Sequence, residues 1–262
     1  MAQKPVLSVV VPVYNEQDSL AKTIDRLVQI PHLLEIVIVD DCSTDATPQI
    51  IDDLRRRYPS LVRSMRHEKN QGKTAGLNTG FQATSGEIVI VQDADLEYDP
   101  SEIGCVIGPI LDGDADVVYG SRFMVKKAAR VLYYYHYLAN KFITGLSNVL
   151  TNINLSDVET GYKAFRGEII RNMVITSSGF GFEIEVTAKV SKLGCRMYEV
   201  PISYYGRTYE EGKKIGTSDG VYALWCIFKY NWFVPLSRSF RKRPELKPFA
   251  PAKAFEASTV DR

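Results

Sequence analysis

Asp93 and Asp95 are two carboxylates one residue apart, placed where the apolar run Val89-Ile90-Val91 stops, and a third acid, Glu97, follows two residues later. Carboxylates that close repel each other unless a cation lies between them. A hard divalent ion, Mg²⁺ or Mn²⁺, takes one or two carboxylates and completes its shell with phosphate oxygens. The spacing therefore suits a metal that neutralises a phosphate group, although an acidic turn closing a strand would also read Asp-Ala-Asp. Two more acidic clusters end apolar runs in the same way: Glu16 behind residues 7–13, and Asp40 with Asp41 behind residues 36–39. Three such coincidences favour a site over three unrelated turns.

The elements that must carry these acids alternate. Residues 7–13, 36–39 and 61–66 are short runs that read as strands. Leu20, Ile24, Leu27 and Val28 recur at helical spacing over 19–29, and Ser43 or Asp45 can cap a helix from about 46 to 57. Gly72-Lys73-Thr74-Ala75-Gly76 opens a helix to about 83, and the strand ending in Asp93 follows. Residues 100–112 read as a helix and 116–120 as a strand. This order predicts a doubly wound, mostly parallel α/β sheet, whose ligands sit outside the carboxyl ends of the strands. The acidic clusters fall at those ends.

Beyond Arg122 the pattern changes. Residues 132–150 predict one long helix or two, 156–165 an irregular polar turn, and 197–204, with Pro201 inside, an edge strand. The aromatic stretch 221–233, interrupted by Lys229, suits either a membrane-facing amphipathic helix or one packed on the sheet. Arg238, Arg241, Lys242, Arg243, Lys247 and Lys253 lie among prolines, so residues 236–262 are expected to form a flexible basic tail behind a catalytic domain of residues 1–235. Such a tail suits an anionic bilayer surface or plain solvent.

Composition excludes several classes. With 262 residues, 45% hydrophobic, 24% charged and a net charge of +1, nothing in the balance demands nucleic acid. Cys42, Cys105, Cys195 and Cys226 are too widely spaced for a zinc site or a disulfide scaffold, and His32, His67 and His136 are too scattered for a ligand cluster. No signal-peptide core precedes the first strand, and no run reaches the roughly 20 apolar residues that span a bilayer. The expected location is the cytoplasm, with peripheral membrane contact left open. Gly72-Lys73-Thr74 looks like the end of a P-loop, but the glycine needed five residues earlier is His67. What remains is a glycine turn opening a helix, with Lys73 available to a phosphate.

Taken together, Pro12-Val13-Tyr14-Asn15-Glu16, Val39-Asp40-Asp41-Cys42-Ser43-Thr44-Asp45, Asn70-Gln71-Gly72-Lys73 and Asp93-Ala94-Asp95 resemble, in order and spacing, the family 2 glycosyltransferases of GT-A fold. Val118-Tyr119-Gly120-Ser121-Arg122, Asp157-Val158-Glu159-Thr160-Gly161-Tyr162-Lys163 and Val200-Pro201-Ile202-Ser203-Tyr204, followed by Arg207 and Lys213, narrow the likeness. They resemble the branch of dolichyl-phosphate mannose synthases and bacterial polyprenyl-phosphate glycosyltransferases. The resemblance covers roughly residues 5–235.

The resemblance implies roles for these residues. Pro12, Tyr14 and Glu16, with Val39 and Asp41, would hold the nucleotide of a GDP- or UDP-sugar. Lys73 and the Asp93-Ala94-Asp95 segment would meet its diphosphate. Asp93 and Asp95 would approach Mg²⁺ or Mn²⁺, Asp95 most directly, and Glu97 falls where some relatives carry a metal-coordinating Gln. Arg207 and Lys213 would close over the diphosphate. Arg122 would lie near an acceptor phosphate, which guanidinium suits because it donates two parallel bonds. A further Arg expected on the next helix is not evident; the chain reads Tyr135-His136-Tyr137-Leu138-Ala139-Asn140 there, and His136 would either substitute as a phosphate or hydroxyl ligand or simply pack in the helix.

The implied reaction is inverting transfer of a hexosyl group to polyprenyl phosphate. A saccharide hydroxyl as acceptor would instead need a carboxylate base, for which Asp157, Glu159 and Glu183 are the candidates. A nucleotidyltransferase would also use an Asp-x-Asp metal site, and a non-catalytic nucleotide-sugar binding subunit would use the same donor pocket.

Overall fold

The computed structural model describes residues 4–124, 133–179, 181–206 and 217–246. Seven strands form one sheet: β1 (Leu7–Val13), β2 (Leu33–Asp40), β3 (Val62–Arg66), β4 (Ile88–Val91), β5 (Val117–Ser121), β6 (Lys163–Arg166) and β7 (Met197–Pro201), in the order β3-β2-β1-β4-β6-β5-β7. β1 runs parallel to β2 and β4, and β2 runs parallel to β3. The carboxyl ends of all four therefore open on the same edge. The helices are α1 (Leu20–Leu27), α2 (Thr47–Arg57), α3 (Lys73–Ala83), α4 (Ile103–Leu111), α5 (Tyr134–Thr151), α6 (Gly167–Asn172), α7 (Gly181–Leu193) and α8 (Thr217–Phe228).

Successive strand residues face opposite sides of the sheet, so each β-branched run feeds two cores. Val9, Val11, Ile36 and Ile38 pack with Leu20, Ile24, Ile51 and Leu54 of α1 and α2. Val10, Val89 and Val91 pack with Leu77 and Phe81 of α3 and with Phe182 of α7. Gly80 lets α3 come this close: a Cβ there would stand 2.4 Å from Val10 Cγ1. The result is a mostly parallel sheet covered on both faces, the doubly wound architecture that the alternation predicts.

The second half departs from expectation in its details. The expected polar turn at 156–165 closes into β6 from Lys163 onward, and β6 is antiparallel to both β4 and β5. Helix α7 carries Glu183, Glu185, Thr187 and Lys189, all fully or nearly buried, so it lacks the polar face that reveals a helix in sequence. The aromatic stretch packs on helices rather than on the sheet: α8 turns Ala223, Cys226 and Ile227 inward beside α5 and α7, while Val221 and Trp225 are exposed. A π-helical turn, Lys229–Phe233, extends it.

Residues 236–241 lie against the domain: Phe240 is buried and bridges to Met173, and Arg241 N–H donates to Asn172 O. Residues 247–262 of the basic tail, including Lys247 and Lys253, lie outside the described residues. Among the described residues no helix is long and apolar enough to cross a membrane.

Candidate active site

The Asp93–Asp95 turn leaves the end of β4 and is held from three sides. Gln92 Nε2 donates to Asp93 O at 3.0 Å, and Gln92 Oε1 accepts from the Tyr162 hydroxyl at 3.0 Å. Thr23 Oγ1 of α1 donates to Ala94 O at 3.0 Å. Asp95 Oδ1 accepts from Glu97 N–H at 3.1 Å, which tightens the turn, and Leu96 takes a φ of 62°. Glu97 Oε2 accepts from the Tyr204 hydroxyl at 2.9 Å. Gly161 lies under the turn, so close that a Cβ would stand 2.9 Å from Asp93 Oδ2.

Lys73, first residue of α3, puts its ammonium 2.7 Å from Asp93 Oδ1 and 2.8 Å from Oδ2. Burial works against that charge, but Asp93 and Glu183 outweigh it and hold the ammonium's pKa above its ordinary value. Asp93 thus already faces a cation. Among the described residues, no three His, Cys, Asp or Glu side chains gather into a metal cage. Two carboxylates at a strand end fit an ion whose remaining ligands are phosphate oxygens, which is how Mg²⁺ and Mn²⁺ bind with nucleotides.

At the ends of β1 and β2 two loops are stitched together. Asn15 N–H donates to Ser43 Oγ at 2.9 Å, and Asn15 Oδ1 accepts from Thr44 N–H at 2.8 Å. Glu16 N–H donates to Thr47 Oγ1 at 2.9 Å, while Gln17 and Asp45 complete the seam. Asp45 Oδ1 accepts from Thr47 N–H at the start of α2, whereas Ser43, the other capping candidate, is spent on Asn15. Tyr14 is exposed and Pro12 half-buried beside these loops. Val39 is fully buried under α3, with its side chain turned toward Gly76 and Gly80. Asp41 accepts from Gln71 N–H at 2.9 and 3.1 Å and from Gly72 N–H at 2.7 Å, so it builds the glycine turn ahead of Lys73.

Arg122 follows β5. Its Nε and Nη2 donate to Asp157 Oδ2 and Oδ1 at 2.7 and 2.8 Å, a two-bond fork. Asp157 has no exposed surface; burial alone would raise its pKa, but the Arg122 guanidinium outweighs that and holds the carboxyl below its usual range. Asn140 Nδ2 of α5 also donates to Asp157 Oδ1, at 3.2 Å, and Lys141 Nζ donates to Ser156 O at 2.9 Å. Aromatic rings surround the guanidinium: its carbon lies 5.1 Å from the Tyr204 ring centre and 5.8 Å from that of Phe123. Lys141 Nζ lies 4.5 Å from the same Phe123 ring. Further along α5, Tyr134, Tyr135, Leu138 and Phe142 are exposed.

Between these two ends lies a knot of buried charge. Glu183 of α7 is 5% exposed and its Oε2 has no hydrogen-bond partner, nor has Glu159 Oε1. Burial, then the charge of Glu183, pushes the Glu159 carboxyl up to about 8. Burial also raises Glu183, and Lys73 and Lys163 only partly offset it. Lys163 Nζ donates to Val158 O and Thr160 O at 2.9 and 2.6 Å and sits 3.9 Å from the Tyr119 ring centre. Burial draws its ammonium down to about 8.

Arg207 and Lys213 lie outside the described residues; the chain is followed to Gly206, and Tyr205 N–H donates to Glu97 O at 2.9 Å. Asn140, Lys141, Lys163 and Tyr98, whose hydroxyl accepts from Gly161 N–H at 3.0 Å, belong to the site although the sequence reading gave none of them a role there. The signal for Asn140 and Lys141 was present, because they occupy the helix on which a cationic partner for Arg122 was expected.

Residues 8–174 match the family described as Glycosyl transferase family 2. The polyprenol monophosphomannose synthase of Mycolicibacterium smegmatis is 28% identical over 216 residues, covering 80% of this chain and 81% of that one. The dolichol-phosphate mannosyltransferase of Pyrococcus furiosus is 31% identical over 216 residues, covering 80% of this chain and 59% of that longer protein. Among solved structures, glucosyl-3-phosphoglycerate synthase of Mycobacterium tuberculosis, in complex with Mn²⁺, UDP-glucose and glycerol 3-phosphate, superposes with a TM-score of 0.66 at 20% identity. That superposition covers 87% of this chain and 80% of that one. At that identity the likeness concerns the fold.

Proposed function

This chain belongs to glycosyl transferase family 2 and is a nucleotide-sugar-dependent glycosyltransferase, and we propose that it moves a hexosyl group from a GDP- or UDP-sugar to a polyprenyl phosphate. The observation that carries the acceptor is Arg122. Its guanidinium is fixed by Asp157, ringed by Tyr204 and Phe123, and followed by a helix whose outer face is aromatic. Such a place suits an anion attached to an apolar chain. The mannosyltransferases named above support the same reading, since their names specify polyprenol and dolichol phosphates.

In this reading Tyr14, Glu16 and the seam between residues 14–17 and 43–47 hold the nucleotide, with Pro12, Val39 and Asp41 shaping the pocket. Asp93 and Asp95, with Glu97 beside them, would hold a Mg²⁺ or Mn²⁺ ion, which when bound supplies Lewis-acid neutralisation of the diphosphate. Lys73 adds a second positive charge at the same place, and the family resemblance assigns Arg207 and Lys213 to the same diphosphate. Arg122 orients the acceptor phosphate, and Asp157 prevents the guanidinium from swinging away.

The acceptor's phosphate oxygen attacks the anomeric carbon opposite the leaving diphosphate; a C–O bond forms as the other breaks, and the configuration inverts. A phosphate oxyanion needs no proton removed. Asp157 is accordingly used as a positioning group, and the fork it makes to Arg122 leaves it a poor proton acceptor. Among the described residues, Trp225, Trp232 and Phe233 extend the exposed aromatic surface, and contact with the membrane through it would bring the lipid to Arg122.

The test is a donor screen by nucleoside-diphosphate release, with Mg²⁺ or Mn²⁺, with and without a short polyprenyl phosphate. Release from one donor that rises sharply only with the lipid phosphate is the expected result. Equal release without lipid would sink the acceptor assignment and make Glu183 and Glu159 the groups to examine for a hydroxyl acceptor.

A further inference from the structure

We infer that His67 is a positioning residue for the donor nucleotide, holding Asp41 so that the Gln71–Gly72 turn is built in its binding shape. The inference rests on the transferase reading above. Asp41 is 3% exposed and is followed by Cys42 at a φ of 66°, where the chain turns off the end of β2. Three donors converge on its carboxylate. Two are the N–H groups of Gln71 and Gly72, and the third is His67 Nδ1, 2.6 Å from Oδ1.

An ionised carboxylate only accepts hydrogen bonds, so Nδ1 carries the proton. The opposite ring nitrogen, Nε2, shares a hydrogen bond with the Thr79 hydroxyl at 2.9 Å. The imidazole thus spans from the end of β2 to the second turn of α3. Its own backbone N–H is tied to Asp40 O at 2.9 Å.

This linkage has consequences at both ends of a donor. Gly72 stands at a φ of 88°, and the next residue is Lys73, whose ammonium lies on Asp93. His67, Asp41, Gly72, Lys73 and Asp93 therefore form one polar chain running from the nucleotide end of the pocket to the diphosphate end. The Gln71 and Gly72 N–H groups reach both carboxylate oxygens, but they belong to the very turn that Asp41 has to build. The side-chain bond from His67 is independent of that turn, because His67 directly follows β3 and its backbone N–H is held by Asp40 O. The chain from 67 to 72 has no helix or strand of its own.

The experiment compares wild type, His67→Phe and His67→Asn. Each is assayed for GDP and UDP binding by titration calorimetry with Mn²⁺, for steady-state kinetics on the donor found by the screen, and for Tm without ligand. Phe fills the ring's volume but donates nothing. Asn can place its amide N–H where Nδ1 stands. His67→Phe should weaken nucleotide binding and raise the donor KM about ten-fold, the scale of a hydrogen bond to a charged group, with kcat within about three-fold. His67→Asn should recover most of the affinity, although it loses Thr79.

Unchanged nucleotide affinity in His67→Phe would overturn the inference. So would equal impairment in both variants that simply follows a fall in Tm, since that is what a purely structural histidine would give. A wild-type protein that neither binds nucleotide nor turns over any donor would overturn the transferase reading itself, and this inference with it.

Discussion

The two ends of the site are held by different physics. The donor end, at the carboxyl edge of β1 and β2, is a seam of short hydrogen bonds between neighbouring loops. Asn15, Glu16 and Gln17 bond Ser43, Thr44, Asp45 and Thr47, and of these Asn15, Gln17 and Thr44 are exposed while Ser43 and Thr47 are buried. The acceptor end is held by the buried pair of Arg122 and Asp157, and next to it, toward the donor, lies the knot of Lys163 on loop carbonyls and Glu159 with Glu183. A seam of many weak, wet bonds loses little when one is removed. A buried ion pair is different, because removing one partner strands the other. The two ends should therefore respond differently to mutation.

Where the two meet, the effect should be largest. Asp95→Ala is expected to lower donor turnover about a thousand-fold or more, with or without acceptor, while Tm stays within a few degrees. Removing the metal with a chelator should reproduce the loss in wild type. Turnover that survives either treatment would mean that the acids at the end of β4 do not hold a metal.

Asp157→Asn separates the ends. It leaves a buried guanidinium without its counter-charge, so stability should fall by about 3 kcal/mol. Lipid-dependent transfer should drop about 100-fold as Arg122 loses its orientation. GDP or UDP binding should be unaffected, because nothing in the donor seam touches Asp157. If nucleotide affinity falls in parallel with transfer, the two ends are not separable and the contrast drawn here fails.

The same contrast explains how much of the molecule could be read from its sequence. In the donor half the residues that make the motif also make the local hydrogen bonds, so Asn15, Ser43, Thr44 and Asp45 are required by the backbone within the motif itself. The strand–helix alternation was legible there for the same reason: β1, β2 and β4 are β-branched runs, and α1 and α2 each have one apolar face. In the acceptor half the determinants are distant. Arg122 finds Asp157 35 positions away, and Ser156 finds Glu199 43 positions away.

Helix α7 was illegible because its charges are buried. Glu185 and Lys189 pair inside the core rather than marking a wet face, which removes the periodicity that a sequence reading depends on. Strand β6 was hidden by its length and by Lys163, a charged residue at the start of a buried strand. Lys141 stands one residue beyond the stretch 135–140 in which the resemblance implies an Arg, and its link to the site, through Ser156 O, spans 15 positions.

Gly161→Ala probes the boundary between the ends with a smaller effect. The added Cβ would stand 2.9 Å from Asp93 Oδ2 and 3.3 Å from Tyr98 Cε2. A carboxylate can give way by rotating, so the cost in stability should be slight. Asp93 is the group that must then move, and the turn carrying it also faces Lys73. Donor KM or the metal concentration for half-maximal rate should rise about ten-fold, with Tm lowered by no more than a few degrees. A large fall in Tm with normal kinetics would show that Asp93 holds firm and the backbone yields instead.

The mildest test concerns pH and Glu159. The shifted acid of the donor seam, Asp45, is moved down: burial works against it, but the bonds from Thr47 and Gln17 outweigh that, so its effect on stability falls in acid. Glu159 is moved up, to about 8 from an ordinary 4.5, first by burial and then by Glu183. Between those two pH values the folded protein keeps a proton that the unfolded chain has lost. Stability must therefore fall as pH rises through that window.

Lys163, drawn down to about 8 from 10.5, acts only above that window, and carboxyls held low, such as Asp157 and Asp116, act only below it. Glu159→Gln removes the titration and also relieves the charge on Glu183. Wild type should lose about 2 kcal/mol between pH 5 and pH 8 that the variant does not, about 5 °C in Tm for a domain of this size. Urea or thermal unfolding at pH 5, 6.5 and 8 reads the difference directly. Parallel curves for the two proteins would mean that Glu159 is ionised in the fold, balanced by Lys163, and the buried knot would then be a salt bridge like that of Arg122 and Asp157.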